Sequence, residues 1–147
     1  MNAIAPSSHK KMQSFTYRVE LTVDSDASGQ TEIVVPSVAE VRTFVAESLV
    51  PNSVLIVSHL KHNADYGNFI IFLNAIGLAY VRILEHRGFH AARLQATVSG
   101  TTVQFIEDGD TFDVDENSTI PRASAIEALN HWLATGERFA GVCWVDE

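Results

Sequence analysis

A chain of 147 residues, 46% of them hydrophobic, is long enough for one domain that buries roughly 70% of its unfolded surface, and it needs no second. Ten Lys+Arg against 18 Asp+Glu leave a formal net charge of −8, which repels phosphate backbones and lipid headgroups, speaks against nucleic acid or a membrane as ligand, and favours a basic partner. The single cysteine, Cys143, excludes an intramolecular disulfide framework and suits a reducing, cytoplasmic compartment.

Residues 1–13 contain Pro6, Ser7, Ser8, His9, Lys10 and Lys11 but no apolar stretch of signal-peptide length, so they read as a mobile tail ahead of one domain over 14–147. From 15 to 23, Phe15, Tyr17, Val19, Leu21 and Val23 alternate with Thr16, Arg18, Glu20 and Thr22, the pattern of a half-buried strand. A turn cluster over 24–29 leads to a second strand over 30–35, which Pro36 ends. Ser37 and Glu40 have the spacing of a capping box, and the helix that follows to Ser48 turns Val38, Val41, Val45 and Leu49 inward with Phe44 at the edge.

After Pro51 and Asn52, residues 53–60 form an apolar run of strand length, and the polar residues 61–68, with Gly67 among them, predict a loop. Residues 69–73 and 78–84 flank Asn74-Ala75-Ile76-Gly77 as a central hairpin. The apolar window 69–81 is too short to span a membrane and is broken by Asn74 and Gly77. Arg87-Gly88 turns the chain, 91–98 and 101–106 read as strands, and Asp108-Gly109 is a turn before a strand over 111–114.

Pro121 suits the first turn of a helix whose amides Ser118 or Thr119 would cap. Ala125, Ile126, Leu129, Trp132 and Leu133 recur at spacings of three and four on one face, and Gly136 stands where a left-handed residue releases the last carbonyls. Glu137-Arg138 continue as a polar turn into a short strand over 142–145, where Cys143 is expected to be a buried, inert thiol. The sum is an α+β domain: a mainly antiparallel sheet of about six strands with two principal helices packed on one side.

Six of the ten residues from Glu107 to Glu116 are acidic: Glu107, Asp108, Asp110, Asp113, Asp115 and Glu116. Asp113, Asp115 and Asn117 match the first ligands of a calcium loop, but Ser118 replaces its glycine and Ser124 its bidentate glutamate, so no metal is assigned. The acids read either as a solvated turn or as a surface presented to a basic partner, where clustered charge speeds encounter. His86 and His90 lie four apart and His59 and His62 three apart, but no third ligand stands near either pair. No nucleophile elbow, P-loop lysine or dinucleotide-binding glycine pattern is present, and no catalytic residue and no cofactor is assigned.

The unit over 120–145 resembles the C-terminal signature of the immunity protein Imm1 family, in which a helix ends in a T-G-E-R-P-like turn and leads into a strand carrying a tryptophan. Here Thr135-Gly136-Glu137-Arg138 and Trp144 carry the likeness, while Phe139 stands at the usual Pro position and Pro121 where a Ser cap is common. The likeness extends more weakly to the hairpin over 69–84. It implies a bacterial protein that binds and neutralises a cognate polymorphic toxin, often of the nucleic-acid deaminase class, by blocking its active site or substrate groove. On that reading Gly136, Glu137, Arg138 and Trp144 are structural and the acidic run is the first place to look for the partner's contact. The other reading is a small-molecule-binding or catalytic domain with a pocket near His59, His62, His86 and His90.

Overall fold

A computed structural model describes residues 16–23, 30–61, 64–85, 88–95 and 97–146. The tail expected over 1–13 lies outside these residues.

The strands are β1 (Thr16–Val23), β2 (Gln30–Val35), β3 (Ser53–Lys61), β4 (Ala64–Leu73), β5 (Leu78–Glu85), β6 (Gly88–Arg93), β7 (Thr102–Glu107), β8 (Asp110–Asp115), β9 (Ile120–Pro121) and β10 (Cys143–Asp146). Helix α1 spans Val38–Ser48 and α2 Arg122–Thr135. The fold is α+β, with an antiparallel sheet in the order β10-β6-β5-β4-β3-β1-β2. β9 pairs with the start of β5, and this makes eight strands rather than the six expected. β7 and β8 form a separate two-stranded sheet.

Alternation along the strands separates the two faces. Tyr17, Val19 and Leu21 of β1 stand opposite His59, Val57 and Leu55 of β3, and Phe69, Ile71 and Leu73 of β4 continue the row. These residues meet Val41, Val45 and Leu49 from α1 and Ala125, Ala128, Leu129, Trp132 and Leu133 from α2 in one buried core. Both helices therefore lie on one side of the sheet. Arg122 fixes their relation: its Nε and Nη2 donate to the Leu49 carbonyl at 3.1 and 2.9 Å, supplying a cation to the orphan carbonyls at the end of α1.

The helix ends follow local chemistry only in part. Ser37 Oγ accepts from Glu40 N–H at 3.2 Å, and Gly136 closes α2 with φ 75° while its N–H donates to the Trp132 carbonyl at 2.8 Å. The cap expected from Ser118 or Thr119 does not form. Pro121 occupies the cap position without a side-chain bond to the helix, because Ile120 and Pro121 are held against β5, and Thr119 Oγ1 instead donates to the Glu116 carbonyl.

Two strand boundaries also differ from the sequence reading. Of the segment 61–68 expected as a loop, Lys61 belongs to β3 and 64–68 to β4, which pairs with β3 across a register shift between Ser58 and Leu60; residues 62 and 63 lie outside the described residues. Gly67 is strand residue rather than turn residue, and a Cβ there would stand 2.5 Å from the Leu84 carbonyl oxygen at φ 132°, so only glycine fits. Beyond Arg93 the expected strand does not continue to Val98, since Leu94 N–H donates to the Asn117 carbonyl instead of to a ladder, and Leu94 and Val98 are exposed.

Candidate functional site

The acidic run is a β-hairpin laid on the sheet face opposite the helices. In its register Phe105 stands opposite Phe112 and Val103 opposite Val114, so the period of two places all four on the face toward the sheet. There they pack with Val54, Phe72, Ile56, Ile70, Leu78 and Tyr80 in a second, smaller core. The rings interlock: Phe72 meets Phe112 edge-to-face at 5.4 Å, Tyr80 meets Phe105 at 6.0 Å and Phe112 at 6.2 Å, and Phe105 stacks on Phe112 at 5.8 Å. Asn74 adds a polar tie, its Nδ2 donating to the Gln104 carbonyl at 3.2 Å while its Oδ1 accepts from Ile76 and Leu78 N–H in the turn between β4 and β5.

The tip is a two-residue turn with both central residues at positive φ, Asp108 at 53° and Gly109 at 81°, the geometry that matches strand twist and favours Asp-Gly. Glu107 and Asp110 are direct cross-strand partners beside it, a like-charge pair that works against the hairpin. Glu107, Asp108, Asp110, Asp113 and Glu116 are exposed. The hairpin thus carries a dense negative charge at its surface, with a like-charge pair beside its tip.

Asp115 is different from its neighbours. Its carboxylate accepts from Ser99 N–H at 3.1 Å, Gly100 N–H at 3.0 Å and Asn117 N–H at 3.0 Å, and from the Ser99 hydroxyl at 3.1 Å. The Ser99 amide, with those of Gly100 and Asn117 and against a contribution from desolvation, holds this carboxyl below the ordinary carboxylate range. Asn117 Nδ2 donates to the Thr97 carbonyl at 2.8 Å, so residues 97–101 are fastened to the base of the hairpin.

Between hairpin and sheet lies a cleft of about 410 Å³. Phe72, Tyr80, Arg82 and Arg93 line it from the sheet, and Glu107, Phe112, Val114 and Ser118 are among those lining it from the hairpin side. Nothing in the sequence reading singled out Arg82 or Arg93. The available signal was an arginine in the middle of each of two otherwise apolar runs, but only the β5–β6 register brings the two together.

The signature residues sit at the opposite side, in the scaffold. Arg138 Nη2 donates to Glu85 Oε1 at 3.2 Å and lies 3.1 Å from His90 Nε2, which is itself 3.3 Å from Glu85 Oε1, and His90 Nδ1 lies 2.5 Å from Asp146 Oδ1. The turn after α2 is thereby bound to β5, β6 and β10 at once. Trp144 packs against the main core and its indole N–H donates to the Phe139 carbonyl at 2.7 Å. Glu137 is exposed, and its backbone N–H donates to Thr135 Oγ1. Cys143 is exposed rather than buried, because β10 is an edge strand and the face carrying Cys143 is the one away from the helices.

The histidines do not converge within the described residues. His59 is buried on β3, stacked on Tyr17 at 4.8 Å with Trp132 edge-on at 6.3 Å, while His90 is on β6, with β5 and β4 between the two strands. Burial pushes the Tyr17 phenol up from its ordinary value. His62 and His86 lie outside the described residues. Among the described residues there is no group of three or more His, Cys, Asp or Glu side chains placed to hold a metal ion, and no helix is long and apolar enough to cross a membrane.

No family model matches the chain, and no curated protein does either. Among solved structures it is similar to a hypothetical protein from Neisseria gonorrhoeae, with 12% sequence identity, a TM-score of 0.55, and coverage of 88% of this chain and 94% of that one. That likeness concerns the fold alone.

Proposed function

We propose that the chain is an immunity protein of the Imm1 type, which binds a cognate polymorphic toxin in the cytoplasm and blocks its active site or substrate groove without catalysing a reaction. The observation that carries this reading is the acidic hairpin: a rigid ridge, seated on aromatic packing, that presents Glu107, Asp108, Asp110 and Asp113 to solvent with a like-charge pair at its tip. Charge retained against the fold's own stability is explained by a partner that neutralises it. A toxin of the nucleic-acid deaminase class needs a cationic surface for its substrate, and a ridge of carboxylates complements such a surface and accelerates encounter.

Asp115 belongs to the mounting of the ridge, since its oxygens are already engaged by backbone amides, and Glu116 flanks it. The resemblance over 120–144 supports the same reading, with Gly136, Arg138 and Trp144 holding the turn and edge strand rather than touching the toxin. Co-expression with the toxin domain encoded beside it tests the proposal. Growth of the toxin-expressing cells is expected to be restored by the intact chain; persistence of full toxicity alongside abundant folded chain would refute it.

A further inference from the structure

We infer that the cleft beneath the hairpin is a binding site for a small dipolar molecule with an aromatic body. Arg82 stands opposite Ala91 in the β5–β6 pairing, so Arg93, two residues beyond Ala91, projects from the same sheet face one diagonal step away. Both line the cleft. Arg93 Nε is buried without a hydrogen-bond acceptor, and Arg93 forms no ion pair with the described residues. A buried guanidinium donor left without an acceptor is costly, and a carboxylate supplies what it lacks in the planar geometry that arginine favours.

The rest of the cleft selects the remainder of the molecule. Phe72, Tyr80 and Phe112 offer ring surface to a planar group. Glu107 is two residues from Phe105 and so lies on the inward face of β7, facing the arginines across the opening. Asp113 and Asp115 also line the cleft, the Asp115 carboxylate already engaged by backbone amides; a plain anion meets the repulsion of Glu107 and Asp113, and a plain cation that of the arginines. A molecule that carries a carboxylate and an ammonium side by side on an aromatic body, as an aromatic α-amino acid does, satisfies both walls, and the cleft volume of about 410 Å³ suits a ligand of amino-acid size. This site does not depend on toxin binding.

The test is an NMR titration of ¹⁵N-labelled chain with L-tryptophan, alongside tryptamine, which lacks the carboxylate, and indole-3-propionate, which lacks the ammonium. Tryptophan is expected to shift the amides of Phe72, Tyr80, Arg93 and Phe112 with a Kd on the order of 1 mM, as befits so small a probe, and each analogue to bind at least about tenfold more weakly. Arg93→Met should weaken tryptophan about tenfold and bind tryptamine as well as or better than the parent chain, whereas Glu107→Gln on the other wall should weaken tryptophan and tryptamine and bind indole-3-propionate as well or better. Glu107 is exposed on the separate hairpin, so that variant reports even if Arg93→Met does not fold. Absence of cleft shifts with tryptophan, equal binding of all three probes, or an unchanged Kd in Glu107→Gln would each overturn the inference.

Discussion

Phe112 of the hairpin meets Phe72 of the central sheet edge-to-face, with ring centroids 5.4 Å apart. That contact joins an acidic ridge to a surface made of different strands. Phe112→Ala removes a half-buried ring from the small second core, and we expect a loss of about 2–3 kcal/mol, below the range for fully buried rings, in urea denaturation. Amide exchange should rise in β7 and β8 more than in β1 or β3. A loss under about 0.5 kcal/mol would show that the hairpin is held by something else.

Arg138 and Glu137 are adjacent in the signature yet should behave differently. Arg138→Ala breaks the bonds to Glu85 and His90 at a partly exposed site and is expected to cost about 1 kcal/mol, while Glu137→Ala, on the exposed side of the turn, should stay within about 0.5 kcal/mol. Thermal unfolding of the two variants checks this. Toxin affinity should not change in either, because both lie in the scaffold.

Gly67→Ala should be among the more damaging substitutions in the chain. The new methyl would collide with the Leu84 backbone carbonyl at a φ that L-residues avoid, and a loss of at least about 2 kcal/mol is expected. Gly77→Ala, with open space around it but φ 84°, should cost about 1 kcal/mol. Equal effects of the two would mean that backbone strain alone, and not the approach of β5, decides the position.

Asp115 gives a pH dependence with a definite sign. Its folded pKa lies below the ordinary aspartate value, so its contribution to stability is present above that value and is lost as the pH falls through the lower, folded one. Asp115→Asn should therefore be less stable than wild type at neutral pH, and the difference should close on acidification. Melting temperatures of the two proteins across that range measure it. A gap that persists in acid would assign the effect to geometry rather than charge.

How much of this was legible follows from which forces are local. Ser37 and Gly136 declared the helix ends because their side-chain and backbone preferences act within one turn, and the alternation of Tyr17, Val19 and Leu21 exposed the core face of β1. Gly67 misled, since a glycine among polar residues signals a loop locally while its true cause is Leu84 on the next strand. Thr119 failed as a cap because β5 holds Ile120 and Pro121 in an extended path.

The candidate site was legible as composition and not as geometry. Acidic density over 107–116 is plain in the sequence, but three features required strand register and packing: the engagement of Asp115 by Ser99 and Gly100, the seating of Phe112 on Phe72, and the meeting of Arg82 with Arg93 under the hairpin. The exposure of Cys143 depended likewise on β10 being the last strand of the sheet.

The measurement that bears most directly on the proposed toxin binding through the acidic ridge is the dissociation constant of this chain for a toxin domain encoded by a neighbouring gene, for wild type and for a variant with Glu107, Asp108, Asp110 and Asp113 all changed to Lys. The account predicts a wild-type Kd of about 1 nM or below, roughly −12 kcal/mol, and a loss of at least about 100-fold in the folded variant, carried partly by a slower and less salt-sensitive association. A variant that keeps its fold and binds within about threefold of wild type would contradict it.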